Sequence, residues 1–493
     1  MQLFDLAIIR ATGSWPLGRC AALCCTGFAA ATALCSGTAL AQSVPQAPAP
    51  DSAAAAAAPT GLWDRPALFG DIGGLRTALG NYGITLGLQE TSEVLGNVTG
   101  GIRRGATYDG LTQLGLGVDT EKAFGIPGGI LNVSALQIHG RDLTQLYLHN
   151  LQPVSGIEAD QTTRLWELWY QQSLLGGKAD IKVGQQSLDQ EFMVDQYGAV
   201  FLNNAFGWST LAASDMPGGG PDYPLSALGV RVRAQPSDAV TVLAGVFDGN
   251  PAGTNVGDPQ RANPSGTNFN LHNGALFIAE VQYSVNQPVT GADGKTVQPD
   301  GLPGTYKLGA WYDSGSFADQ QYDSAGLPLA SPASNGTALQ HRGDYSIYAL
   351  ADQMVWRPSP DSARNVGVFA RVAGAPGDRN LISLSVNAGV VLKAPFAGRD
   401  NDMVGLGMGY ARYSYGARDL DEATAQFTQT NFPVRSAETF LELTYQYQVA
   451  PWWSIQSDLQ YVLNVAGGIQ NPSAPAQRIG NELVLGLRTN ITF

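Results

Sequence analysis

Cysteine is nearly absent from this 493-residue chain, which has only Cys20, Cys24, Cys25 and Cys35. All of them precede residue 42, so the remainder can form neither disulfides nor thiolate metal sites. That remainder also lacks a run of twenty apolar residues, which excludes a transmembrane helix. If the protein enters a membrane, it must do so as a closed β-barrel, because lipid satisfies no backbone N–H or C=O group.

Basic residues are scarce as well. The chain has 28 Lys and Arg against 41 Asp and Glu, for a net charge of −13. Without Asp5, Arg10 and Arg19 of the first 41 residues the net charge becomes −14. An acidic surface is poorly suited to nucleic acid or anionic membrane surfaces, so no nucleic-acid partner is expected.

The motifs of common enzymes are also missing. There is no G-x-S-x-G elbow, and Val289 stands where a phosphate loop ending at Thr296 would need its first glycine. Carboxylates are plentiful, so residue type alone leaves a glycosidase pair open. We expect no enzyme activity, cofactor or metal site, since the histidines are scattered without H-E-x-x-H spacing: His139, His149, His272 and His341.

The N-terminus has the features of a secretory signal. Arg10 and Arg19 make it basic, residues 21–34 are apolar, and Ala39-Leu40-Ala41 is a small-x-small site. We predict a signal peptide over residues 1–41, cleaved after Ala41.

Two short segments follow the predicted signal peptide. Residues 42–60 are rich in Pro and Ala, which predicts a linker. Residues 61–82 are predicted to be a helical segment at the periplasmic side. Its helix is placed at about 67–81, where four apolar residues recur on one helical face: Leu68, Ile72, Leu75 and Leu79.

From residue 83 to 493 the apolar residues recur with a period of two. For example, Leu441 and Leu443 alternate with Glu442 and Thr444. One face of each such segment is apolar, while several opposite faces carry Arg, Glu or Asn. This inverts the pattern of a soluble sandwich and favours a barrel with a lipid-facing belt and a wet lumen.

About sixteen such segments can be counted, and short and long connections roughly alternate between them. The predicted fold class is therefore all-β: a transmembrane antiparallel β-barrel of about 16 strands, preceded by the short helix. The predicted strand starts are near residues 84, 107, 129, 163, 178, 227, 239, 273, 304, 343, 365, 381, 402, 436, 453 and 481.

The chain ends on an aromatic residue, Phe493. Outer-membrane barrels commonly end in this way, because the assembly machinery recognises their last strand. We therefore predict that Phe493 is an assembly signal and that this machinery is a partner.

Several stretches resemble the carbohydrate-selective porin family of the OprB type, from about residue 63 to 493. They include LWDRPALFGDIGGLRTALGNYGI, TRLWELWYQQSLLGGKADIKVGQQSLDQEF, FGWSTLAASDMPGGGPDYPLSALGVRVR and FLELTYQYQVAPWWSIQSDLQYVLN. The resemblance implies a sixteen-stranded, monomeric or homotrimeric channel in a Gram-negative outer membrane, in contact with lipid and lipopolysaccharide. It also implies facilitated diffusion of monosaccharides such as glucose into the periplasm.

A sugar channel requires hydrogen-bonding groups and nearly balanced charges at its constriction. The alternation assigns a set of polar and aromatic side chains to the lumen. The loop at residues 215–223 could fold inward or remain an exposed tip. The pore-lining candidates are Glu167, Trp169, Asp180, Lys182, Gln186, Arg231, Arg233, Glu280, Trp311, Asp313, Arg371, Glu442, Asp458 and Gln460.

Alternatives remain at this point. A general or anion-tolerant porin could share the scaffold, and an adhesin or hydrolase is more remote. Pairing of Arg231, Arg233 and Arg371 with carboxylates would favour the sugar channel. An unpaired basic ladder would favour anions.

Overall fold

The barrel is closed and antiparallel in the computed structural model, which describes residues 61–253, 257–290 and 296–493. The predicted signal peptide and linker lie outside these residues. Within them, sixteen strands pair in chain order and the last returns to the first, so the predicted fold class is confirmed. The strands are β1 Ile84–Gly101, β2 Gly105–Asp119, β3 Gly129–Gly140, β4 Thr162–Leu174, β5 Ala179–Gln186, β6 Ala227–Ser237, β7 Val240–Asp248, β8 Ala275–Val285, β9 Gly304–Asp323, β10 Ala338–Trp356, β11 Asn365–Gly374, β12 Ile382–Lys393, β13 Met403–Tyr413, β14 Ala437–Ala450, β15 Trp453–Leu463 and β16 Gly480–Thr492.

The strands begin within five residues of the predicted positions, and β10 shows the largest difference. It begins at Ala338 instead of near residue 343. The alternation also has the predicted sense. On β14, Leu441 and Leu443 are 44% and 49% exposed on the outer surface, whereas Glu442 between them is fully buried. The apolar belt therefore faces outward.

The two ends of the barrel differ in the length of their connections. At one end, here called the short-turn end, β6 joins β7 and β14 joins β15 through two-residue turns. The opposite end, here called the loop end, carries most of the long connections, including residues 187–226 and 414–436. One long connection lies at the short-turn end. It contains a small ribbon that pairs Val289–Thr290 with Thr296–Val297.

Short helices lie in these connections. Each is capped locally; for example, the Ser414 side chain accepts a hydrogen bond from the Ala417 amide at the start of the longest one. Among the described residues, no helix is long and apolar enough to cross a membrane. Beyond the barrel strands the structure contains α2 Thr120–Phe124, α3 Asn204–Gly207, α4 Thr210–Asp215, α5 Pro259–Ala262, α6 Tyr415–Thr428 and a ribbon that pairs Gln470–Asn471 with Ala474–Arg478.

The N-terminal helix is shorter than the sequence predicts. Helix α1 spans Leu75–Asn81, and residues 61–74 form turns. Gly70, Ile72 and Gly73 have φ angles of 55°, 49° and 66°, which a right-handed helix cannot accommodate. The predicted apolar stripe is not buried either, since Ile72 and Leu75 are 43% and 47% exposed.

This N-terminal segment docks against the end of the last strand. The Leu68 amide donates to the Thr492 carbonyl at 2.8 Å, and the Trp452 indole donates to the Leu62 carbonyl at 2.8 Å. The Phe69 and Phe493 rings lie 5.2 Å apart. The segment thus covers the seam between β16 and β1 at the short-turn end.

Candidate functional site: the barrel lumen

The connection between β5 and β6, residues 187–226, crosses the interior of the barrel and is called the inward loop here. Its Ser187 amide donates to Glu167 on β4, and its Leu202 amide donates to Glu442 on β14. Because these strands lie on different sides of the ring, the loop spans the lumen. The sequence left open whether residues 215–223 fold inward or form an exposed tip. In the structure they fold inward, and the Leu381 amide donates to Asp215 at 2.9 Å.

Carboxylates on the wall hold the backbone of the inward loop. Glu280 accepts from the Met193 amide at 3.0 Å, and Glu442 accepts from the Leu202 and Asn203 amides at 2.6 and 3.1 Å. A loop inside a barrel has backbone N–H groups that need partners, and the oxygens of a carboxyl group accept hydrogen bonds. These predicted pore-lining carboxylates therefore anchor the loop.

A buried arginine holds the same loop through its carbonyl groups. Arg371, which is 1% exposed, donates to the Met193 and Gly207 carbonyls at 2.9 and 3.1 Å and also to the Ala205 carbonyl. Its guanidinium lies 3.4 Å from a carboxylate oxygen of Asp195 in the loop. Arg371 thus serves both as an ion-pair partner and as a multiple hydrogen-bond donor.

Part of the interior is apolar, contrary to the expectation of a uniformly wet lumen. Phe192, Trp208 and Leu211 of the inward loop pack with Leu276 and Trp311 from the wall. Trp311 therefore belongs to an apolar core between loop and wall. The loop covers these inward apolar side chains, so they need not face water.

Five ionised groups meet where β5 and β6 face the inward loop. They are Asp180, Lys182, Arg231 and Arg233 on the strands and Glu191 on the loop, and they are called the charged cluster here. Lys182 is directly opposite Arg231 in the strand register, and Asp180 is opposite Arg233. Cross-strand neighbours on one face lie close enough to interact, so the two strands bring four of the five charges together.

The charged cluster is connected by ion pairs. Glu191 pairs with Lys182 and lies 2.5 Å from the Arg231 guanidinium. Asp180 pairs with Arg231 and lies 3.3 Å from the Arg233 guanidinium. Burial raises the pKa of Glu191, but Lys182 and Arg231 lower it more, so this pKa lies below its ordinary value. The carboxylate therefore remains ionised beside its two cations.

Uncharged groups border the charged cluster. The Lys182 ammonium lies 4.3 Å from the centre of the Trp169 ring, and Arg231 donates to the Gln171 side chain at 3.3 Å. Among the four cluster residues on β5 and β6, Arg233 is the most exposed, with 31% of its side chain accessible. The site thus combines charges, an amide and an aromatic face.

A second polar group lies on β14 and β15. The Gln460 amide donates to Asp458 at 3.0 Å and to the Val154 carbonyl at 2.7 Å, while its oxygen accepts from Asn203 at 3.0 Å. Here too, wall side chains bind the chain that lies within the barrel. Two remaining candidates bind nearby backbone: Asp313 accepts from the Gly315 amide at 2.7 Å, and Gln186 donates to the Gly229 carbonyl at 3.1 Å.

The fourteen candidates therefore share the inward side of the wall but not one site. Thirteen are less than 10% exposed, and Arg233 is partly accessible. Five of them belong to or border the charged cluster, whereas most others hold the inward loop or local backbone. The alternation missed Glu191 and Asp195, because they lie in a loop without a period. It could have found Asp352, which follows Tyr348 and Leu350 on the buried face of β10.

The sequence itself matches a known family. A family model described as "Carbohydrate-selective porin, OprB family" matches residues 103–493. The chain belongs to this family. Porin B of Pseudomonas aeruginosa is 26% identical over 462 residues, which cover 90% of this chain and 93% of that protein.

Solved OprB structures have the same fold. The high-pH structure of Pseudomonas putida OprB aligns with a TM-score of 0.74 at 25% identity, covering 87% of this chain and 99% of that one. Its low-pH structure aligns with a TM-score of 0.53 at 18% identity, over the same shares of the two chains. This OprB-family protein is thus an outer-membrane porin, a channel protein and not an enzyme. The loop end faces the cell exterior and the short-turn end the periplasm, as in other outer-membrane barrels.

Proposed function

We propose that this porin passes neutral monosaccharides, glucose among them, into the periplasm by facilitated diffusion. The observation that carries the proposal is the pairing of the luminal arginines. Arg231 pairs with Asp180 and Glu191, Arg233 with Asp180, and Arg371 with Asp195. A ladder of unpaired cations would instead attract anions.

The charged cluster is nearly balanced, with three cations and two carboxylates. A neutral sugar gains no free energy from a field of one sign, but its hydroxyl groups donate to carboxylates and accept from guanidinium groups. We infer that a sugar exchanges hydrogen bonds with water and with this cluster as it passes. Gln171, which borders the cluster, offers a further polar contact.

A general or anion-tolerant porin is the second candidate. The excess of one cation in the cluster and the 31% exposure of the Arg233 side chain favour it. On this alternative, anions would be attracted to Arg233 and no saturable sugar site would be needed.

Conductance of the purified protein in planar bilayers separates the two proposals. We expect stepwise channels that glucose blocks saturably, that sucrose blocks less, and that show little preference for gluconate over a cation of similar size. Channels that glucose does not block but that select ions by charge would favour the general porin.

Asp180→Asn and Arg412→Ala provide the matched test of location. Asp180 belongs to the charged cluster, whereas Arg412 lies exposed on the outer side of β13. Asp180→Asn should weaken the glucose block about tenfold, since a hydrogen bond to a charged group contributes roughly 1.5–3 kcal/mol. Arg412→Ala should leave the block unchanged, and equal effects of both variants would contradict the proposed site.

A further inference from the structure

A cavity of about 360 Å³ lies at the rim of the loop end, away from the lumen. Ala106 and Tyr108 line it and lie on the outer surface of β2, where they alternate with the buried Thr107 and Asp109. Arg141, directly after β3, also lines the cavity. The cavity therefore opens outward, toward the surrounding lipid at the level of the outer leaflet.

Arg141 lines this rim cavity, Arg103 lies over its Tyr147 wall, and Arg104 is next to Arg103 in the chain, although the chain as a whole is acidic. Arg103, Arg104 and Arg141 are all exposed. Within residues 61–253, 257–290 and 296–493, none of the three forms an ion pair with a carboxylate. These three guanidinium groups are therefore available to bind an anion at this place on the surface.

The loop that closes the cavity holds one arginine in a defined orientation. The Arg103 guanidinium lies 4.5 Å above the Tyr147 ring, and its Nε donates to the Leu146 carbonyl at 2.8 Å. The Tyr147 ring in turn lies on Gly105, where a Cβ atom would approach it to 2.1 Å. The terminal guanidinium nitrogens of Arg103 are left to bind another group.

A network on the outer barrel surface fixes the opposite wall of the cavity. The Tyr108 hydroxyl lies 3.1 Å from the Ser92 hydroxyl and 3.0 Å from His139 Nε2. Ser92 donates to Glu90 at 3.0 Å, and His139 Nε2 is 3.4 Å from the same carboxylate. The Tyr108 ring is therefore held in place before any ligand arrives.

We propose that the rim cavity binds a phosphate group of the outer-leaflet glycolipid, lipopolysaccharide, with Arg141 and Arg103 as its main ligands. Guanidinium groups bind phosphate oxygens in a bidentate manner. Gln161 and Tyr108 border the same space and suit the sugar that bears the phosphate. Exposed apolar residues on the same outer face, including Val94 and Leu114, lie where acyl chains would follow.

Native mass spectrometry of the full-length protein in detergent tests this proposal with purified lipopolysaccharide as the probe. We expect lipopolysaccharide to be retained, with affinity about tenfold or more lower in Arg141→Ala and lower still in the Arg103→Ala/Arg141→Ala double variant. The matched control is Arg412→Ala, which removes an exposed outward arginine near the loop end of β13 without touching the cavity. It should retain lipopolysaccharide as the native chain does.

Three outcomes would overturn the proposal. One is equal loss of lipopolysaccharide in Arg412→Ala and Arg141→Ala, which would indicate general surface charge. Another is competition by inorganic phosphate at equal concentration, which would indicate a free-anion site rather than a lipid site. A third is an oligomer mass that the double variant abolishes, which would assign this face to a second copy of the chain. Glucose block of the channel should be unaffected in every variant, so failure here is distinguishable from failure of the proposed transport function.

Discussion

Replacing Arg371 by methionine removes the guanidinium that connects β11 to the inward loop while keeping a side chain of similar length. Three loop carbonyls lose their donor, and Asp195 loses the cation 3.4 Å away. Removing one partner of a buried ion pair is destabilising by about 3–5 kcal/mol. We therefore expect the inward loop to detach from the wall much more often, while the barrel hydrogen bonds persist.

The magnitude can be expressed as an opening equilibrium. At about 1.4 kcal/mol per factor of ten, the loss corresponds to a roughly 100- to 4,000-fold larger population of the detached loop. Hydrogen exchange of the backbone amides of Met193, Leu202 and Asn203 measures this population, because each amide is bonded to a wall carboxylate. Single-channel conductance should rise as well, since the loop occupies the lumen.

Two further variants make the Arg371 prediction decisive. Asp195→Asn combined with Arg371→Met should recover part of the protection, because the double variant no longer buries an unpaired carboxylate. Arg412→Met changes an exposed arginine outside the lumen and should leave exchange unchanged. If Arg371→Met leaves exchange in the inward loop at the native rate with the barrel folded, Arg371 does not hold the loop.

Three other predictions concern the cluster, an outer loop and the C-terminus. Arg231→Gln removes the cation shared by Asp180 and Glu191, so reversal potentials should shift toward cation selectivity and glucose block should weaken about tenfold. No change in either quantity would contradict the proposed contact of the sugar with the charged cluster. Burial raises the pKa of Glu158 to about 8 from an ordinary 4.5, so the native chain loses stability as pH rises between these values. Glu158→Gln should then unfold at a higher temperature than the native chain at pH 9 and at the same temperature at pH 4, and a difference of the opposite sign would refute the burial argument. Deleting Phe493 should reduce the amount of protein in the outer membrane, and normal membrane levels would show that it is not required for assembly.

The barrel could be predicted because its pattern is local. In a strand with one face toward lipid and the other toward the lumen, the polarity of each residue indicates which face it lies on. Leu441 and Glu442 on β14 are an example. Strand order then follows from antiparallel neighbours joined in sequence. Closure followed from the need of edge strands for backbone partners in lipid, whereas the register was not predicted.

The path of the inward loop could not be predicted in the same way. Residues 187–226 have no period, and their position depends on contacts with Glu280, Arg371 and Glu442 on distant strands. The alternation placed those three side chains on the correct face, but it could not show that the loop's backbone uses them. For the same reason Glu191, the loop member of the charged cluster, was missed.

The start of helix α1 was mispredicted for a local reason. Leu68, Ile72, Leu75 and Leu79 have helical spacing, but Gly70, Gly73 and Gly74 permit backbone angles that end a helix. Leu68 and Phe69 instead lie in turns before the helix, where they contact Thr492 and Phe493. The spacing of apolar residues does not identify the surface against which they will pack.

The inward loop has a consequence for the order of biogenesis. The Val200 carbonyl of the loop accepts from Gln456, and Asn203 donates to Gln460, contacts that span 256 and 257 residues of sequence. Contacts of such separation form late, since the chain entropy of joining distant segments opposes them. These contacts can form only after the C-terminal strands are in place. During insertion the inward loop therefore gains these two anchors only when β15 has joined the barrel.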